Sequence, residues 1–114
     1  MKNLTASLFL ILFIMAHVAH AAITCGEVDV KAASCVNFVT GKVTAVPAAC
    51  CGGLQALVKK AVTVTDRRAI CSCLKDGIKK FPGAKDQFLG KVPGACNIKV
   101  GFPVSLNTNC NSIN

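Results

Sequence analysis

Apolar residues along most of this chain recur at three- and four-residue intervals, the spacing of one helix face, and strict alternation is scarce before residue 97. Thr24-Cys25-Gly26-Glu27 has the S/T-x-x-E form of a helix start. Val28, Ala32, Cys35, Val36 and Val39 then share a face, and Gly41 suits a helix stop. Pro47 fits the first turn of a second helix, whose apolar positions are Cys50, Cys51, Leu54, Leu57, Val58 and Ala61. Thr63-Val64-Thr65-Asp66 is another start signal, with Asp66 placed as a cap at the positive end of the helix dipole. The third helix carries Arg67, Ile70, Cys71, Leu74 and Ile78 and ends at Phe81-Pro82-Gly83. A short fourth helix, about Lys85 to Lys91, presents Phe88 and Leu89 and is closed by Pro93-Gly94. From Ile98 to Leu106 every second residue is apolar, but a strand there would have no partner strand. The segment therefore reads as an irregular arm laid over the helices and anchored by Cys110.

The first residues differ in kind. Lys2 precedes an apolar run from Leu8 to Met15, and Ala19-His20-Ala21 offers small residues where a signal peptidase inspects the chain. The run is shorter than the roughly 20 residues a spanning helix needs. Residues 1–21 are thus expected to be a secretory signal, and residues 22–114 one secreted domain. Both histidines, His17 and His20, fall in the leader, and all eight Cys fall beyond it. An even cysteine count after such a leader indicates a disulfide framework.

Without Lys2, twelve Lys and Arg face five acids, a net charge of +7. That excess predicts transient attraction to anionic membrane surfaces, while the Lys59-Lys60 and Lys79-Lys80 pairs read as a solvated face. Enzyme chemistry is disfavoured. The domain has no His to activate a Ser or Cys nucleophile, its acids are scattered, and its thiols are expected to be bridged. No metal or other cofactor is expected for the same reasons. Nucleic-acid binding lacks its stacking platform, because there is no Tyr or Trp and little Phe.

Aliphatic residues are abundant, yet four staples are present as well, each worth roughly 2–4 kcal/mol. One explanation is an interior that is not fully packed. The cysteine spacing is the most specific feature. Nine residues separate Cys25 from Cys35 and fourteen more lead to Cys50-Cys51; nineteen lead to Cys71-Ser72-Cys73, twenty-two to Cys96 and thirteen to Cys110. On a helix, Cys71 and Cys73 point to opposite sides and must bridge to different elements. Spacing alone still leaves 105 pairings open.

This framework resembles the plant eight-cysteine family, and its spacings match the type 1 non-specific lipid transfer proteins over the whole domain. Thr63-Val64-Thr65-Asp66-Arg67 is similar to that family's T/S-x-x-D-R/K pentapeptide. Gly101-Phe102-Pro103-Val104-Ser105 stands where the family usually has Pro-Tyr-x-Ile-Ser, with Phe102 in place of the tyrosine and Gly101 in place of the proline. The resemblance implies an all-α, four-helix right-handed bundle with an irregular C-terminal arm around an internal hydrophobic tunnel. It implies four disulfides, Cys25–Cys73, Cys35–Cys50, Cys51–Cys96 and Cys71–Cys110. It also implies a monomer in the cell wall that carries fatty acids, lysophospholipids and phospholipids, with roles in cuticle assembly or plant defence. The family includes food and pollen allergens.

Apolar spacing and family placement together nominate the tunnel wall. The first helix would give Val28 and Val36, the second Leu54, Leu57 and Val58, and the third Ile70, Leu74 and Ile78. Leu89 would come from the fourth, and Ile98, Val100, Phe102, Val104 and Leu106 from the arm. Arg67 would hold a polar head group, since a guanidinium offers a fork of donors to carboxylate or phosphate. Phe102, lacking a hydroxyl, would only pack on the acyl chain. Phe38, Phe81 and Phe88 are placed in the core and Asp29 on the ordinary surface. Two other readings remain on the same scaffold: a cationic antimicrobial protein acting on membranes, and an amylase or protease inhibitor.

Overall fold

The computed structural model describes residues 23–114, so the expected leader and its cleavage point lie outside the described residues. The described elements are α1 (Cys25–Ala32), a 3-10 turn (Ala33–Cys35), α2 (Val36–Val39), α3 (Ala48–Lys60), α4 (Val64–Ile78), α5 (Asp86–Leu89), α6 (Val92–Ala95) and a final 3-10 turn (Cys110–Ser112). No strand occurs among the described residues. α1, the turn and α2 together form the first predicted helix and α5 falls within the fourth; α6 follows directly, and counted with α5 as one unit it makes four helical units around the interior.

The starts form where local chemistry places them. Thr24 caps α1, its side chain accepting from the Glu27 amide at 3.3 Å. The return half of that box is absent, because the Glu27 carboxylate pairs with Lys60 at the end of α3. At α4 both halves form. The Thr63 hydroxyl accepts from the Asp66 amide at 3.0 Å, and Asp66 accepts from the Thr63 amide at 3.3 Å. Gly41 ends the first unit with φ 79°, a conformation that favours glycine.

Two boundaries differ from expectation. α4 ends at Ile78, three residues early. Pro93 and Gly94 lie inside α6 and do not close the fourth unit. Pro93 sits in the first turn of α6, where its missing amide hydrogen costs nothing. A proline read as a stop was in fact the beginning of a second short helix.

The disulfides join Cys25 to Cys73, Cys35 to Cys50, Cys51 to Cys96 and Cys71 to Cys110. α1 packs against both α3 and α4, while α3 and α4 touch each other far less. The core accordingly falls into separate clusters. One gathers Phe38, Val39 and Val92 around the Cys35–Cys50 bridge and Cys96. A second holds Val28, Leu57 and Ile70 beside Cys73, and a third holds Ile113 against Cys71 and Cys110. Every cluster includes half-cystines, and residues of all three line one open space.

Candidate functional site

That space is a cavity of about 800 Å³, lined by side chains from α1, α2, α3, α4, α5, α6 and the arm. Ligand sites commonly measure about 300–1,000 Å³, and an apolar cavity of roughly 150 Å³ already takes benzene. The volume therefore suits a larger apolar guest. Among its lining residues, Val58 on α3 (43%) and Phe81 beyond α4 (40%) are exposed large apolar side chains.

All the nominated wall residues except Val28 line this cavity, from Val36 on α2 to Leu106 on the arm. Val28 is a correction. It is wholly buried against Leu57, Ile70 and Cys73. The Cys25–Cys73 bridge draws the first turn of α1 onto α4, so the apolar side chain one turn later meets protein instead of open space. Leu54 packs against two of the core clusters and so stands between them.

The arm contributes Ile98, Val100, Phe102, Val104 and Leu106 and is tied down at intervals. Gln55 donates to the Cys96 carbonyl at 3.1 Å, and the Leu106 amide donates to Asp86 at 2.7 Å. Lys75 donates to the Thr108 carbonyl at 2.7 Å, and Arg68 to that of Ile113 at 2.8 Å. With the Cys71–Cys110 bridge, these ties make an irregular segment into a fixed wall. Phe102 packs beside Cys71, Cys110 and Ile113 with one side on the cavity.

Arg67 lies in the first turn of α4 and also lines the cavity. Its guanidinium reaches the carbonyls of Ala61 and Val62 only at 3.5 Å, long and weak contacts. Asp66 is engaged by the Thr63 cap, and the ion pairs among the described residues, Lys60–Glu27 and Lys79–Asp76, do not include Arg67. A cation with loosely engaged donors thus stands on the wall of an apolar cavity.

Several lining residues were missed or placed differently. Asp29 is exposed, as expected of a surface residue, but it also borders the cavity; its carboxylate lies 3.0 Å from where a side chain on Gly77 would begin. Phe81 is exposed and lines the cavity, and does not lie in the core. Phe38 is buried, and Phe88 meets it edge-on with ring centroids 6.0 Å apart. Lys75, Lys80 and Lys99 line the cavity and were not nominated. Lys75 follows Cys71 by one helical turn, a spacing that could have placed it on the inner face. Among the described residues no His, Cys, Asp and Glu group could hold a metal ion, and no helix is long and apolar enough to cross a membrane.

A family model described as protease inhibitor/seed storage/LTP family matches residues 25–110. The chain is 54% identical to non-specific lipid-transfer protein C, cotyledon-specific isoform, of Ricinus communis over 116 aligned residues, covering 99% of each. Among solved structures it is similar to non-specific lipid transfer protein 1 from barley in complex with lysophosphatidylcholine. The TM-score is 0.76 at 28% identity, covering 81% of this chain and 100% of that one. A wheat non-specific transfer protein complexed with two molecules of phospholipid gives a TM-score of 0.75 at 27% identity, covering 80% and 100%.

Proposed function

This chain belongs to the protease inhibitor/seed storage/LTP family, and on that premise we propose that it carries fatty acids, lysophospholipids and phospholipids by sheltering their acyl chains in the cavity, and transfers them between membranes. The observation that carries this reading is the open apolar cavity itself, with Arg67 on its wall. Each methylene removed from water contributes about 0.8 kcal/mol, so a long acyl chain has ample driving force without shape-specific contacts. Breadth of ligand follows from the same non-directional physics. In this proposal residues 1–21 direct secretion to the cell wall, the domain acts as a monomer, the cavity runs through as a tunnel, and the +7 charge favours brief contact with anionic membranes.

The test is a titration with a fluorescent fatty-acid analogue at physiological and at high salt. Saturable uptake that survives about 1 M salt, where the Debye length falls to about 3 Å, is expected of burial in a cavity. Binding that disappears with salt would instead identify a surface-charge membrane agent and remove the carrier reading. Transfer of a labelled phospholipid between vesicles then tests carriage separately from binding.

Arg67→Ala separates head-group recognition from burial. Binding of an ionised fatty acid is expected to weaken by about 0.5–3 kcal/mol, through loss of a charge-assisted hydrogen bond. The fatty alcohol of the same length should be nearly unaffected. Isothermal titration of both ligands decides it, and equal losses would assign Arg67 to holding the fold at the end of α3.

A further inference from the structure

The cavity wall carries four cations, Arg67, Lys75, Lys80 and Lys99, against a single acid, Asp29. A carrier of neutral acyl chains needs none of them, and one carboxylate would engage only one end. Their placement is informative. Lys75 is held by the Thr108 carbonyl. Arg67 stands in the first turn of α4, and Lys80 lies just past its last turn. The Lys80 amide still bonds back to Gly77, and the Phe81 amide to Ile78, so the chain keeps near the helix line to that point. Thirteen residues at the helical rise of about 1.5 Å put the two cationic positions about 20 Å apart.

Both positions lie beside exposed residues of the lining. Val58 is exposed one turn before Ala61, whose carbonyl faces Arg67, and Phe81, next to Lys80, is exposed at the other end. Lys79 turns away to pair with Asp76, while neither Lys80 nor Lys99 takes part in the ion pairs among the described residues. Asp29 borders the cavity near Gly77, and over the whole wall the four cations outnumber it.

We infer that the cavity takes a long-chain α,ω-dicarboxylate, extended along α4, with one carboxylate against Arg67 and the other against Lys80. The inference rests on the carrier reading and names a substrate class for the same cavity. A pocket apolar at its far end would reject such a ligand, because it would bury a carboxylate without a partner. A cation at each end reverses that penalty and makes the site a ruler. A short diacid cannot engage both ends, whereas a monoacid gains affinity simply with added methylenes.

Isothermal titration of the full oxidised domain with hexadecanoate, hexadecanedioate, decanoate and decanedioate tests this. Hexadecanedioate is expected to bind about as tightly as hexadecanoate or better, and decanedioate to bind far more weakly than decanoate. Lys80→Gln should lower the affinity for hexadecanedioate relative to hexadecanoate by about tenfold, the loss of one charge-assisted contact. Lys59→Gln, an exposed lysine that does not line the cavity, should leave that ratio unchanged. Hexadecanoate binding with hexadecanedioate rejected by the parent protein would overturn the inference and leave the carrier reading standing. So would two hexadecanoates per protein with no advantage for the diacid, or an unchanged ratio in Lys80→Gln with native circular dichroism. Failure of every ligand to bind would remove the carrier reading itself.

Discussion

Reducing all four disulfides is expected to abolish helical structure and lipid binding together. Thirteen apolar residues are buried among those described, and six of them are half-cystines. The other seven are divided among three clusters around a cavity of about 800 Å³. Such a core lacks the continuous packing that normally offsets chain entropy. The bridges supply the difference by restricting the unfolded chain. The Cys35–Cys50 bridge spans 15 residues, and the other three span 39 to 48. Loop-closure entropy assigns about 3 kcal/mol to the shortest and about 4 kcal/mol to each longer one. Even with incomplete additivity, their loss matches or exceeds the usual net stability of about 5–15 kcal/mol. Far-ultraviolet circular dichroism and fluorescent-lipid titration, before and after reduction and thiol blocking, check this. A reduced protein that kept its helices and its ligand would show that the helix interfaces suffice alone.

Gly53→Ala is expected to destabilise the oxidised protein, while its neighbour Gly52→Ala stabilises it. Both glycines lie within α3, where alanine is intrinsically better by about 1 kcal/mol. A Cβ on Gly52 would meet nothing within 4 Å. A Cβ on Gly53 would lie 1.9 Å from the carbonyl oxygen of Lys31 on α1. That atom is backbone and cannot swing aside. α1 also cannot simply withdraw, because Cys25–Cys73 pins its start and Cys35–Cys50 pins the turn beyond its end. Overpacking of this kind costs about 1–3 kcal/mol or more. Because α3 and the α1–α2 unit both wall the cavity, lipid affinity should fall with stability in Gly53→Ala. Denaturant midpoints of the two oxidised variants give the test. A stabilised Gly53→Ala would mean that the α1–α3 contact is loose.

The wall cations show where reading from sequence stops. Arg67 was nominated through a five-residue motif; Lys75, Lys80 and Lys99 belong to no such motif, and Lys80 was read as part of a solvated face. Only the course of the arm over α4 makes Lys75 a strut under Thr108, and only the cavity beside Phe81 gives Lys80 an inner side. Charge is visible in a sequence, but which void a side chain borders is not.

What the sequence determined by itself was local. Thr24 and Thr63 started helices, because a cap needs only a hydroxyl and an amide three residues away. Gly41 stopped one, and the opposed directions of Cys71 and Cys73 required two different partners. Eight Cys behind a leader-like segment fixed a bridged framework, although the pairing followed from family resemblance and not from spacing. The tertiary structure decided the rest. Val28 and Val36 share one predicted apolar face, yet Val28 is buried against α3 and α4 while Val36 looks into the cavity. Pro93, expected to close the helix before it, lies in the first turn of the next one. Periodicity marks the inward side of a helix, because burial requires an apolar stripe. It does not say whether that side meets atoms or space, since this depends on how far neighbouring helices are held apart. Here the bridges tie the helices together at a few points, and the interior between those points stays open.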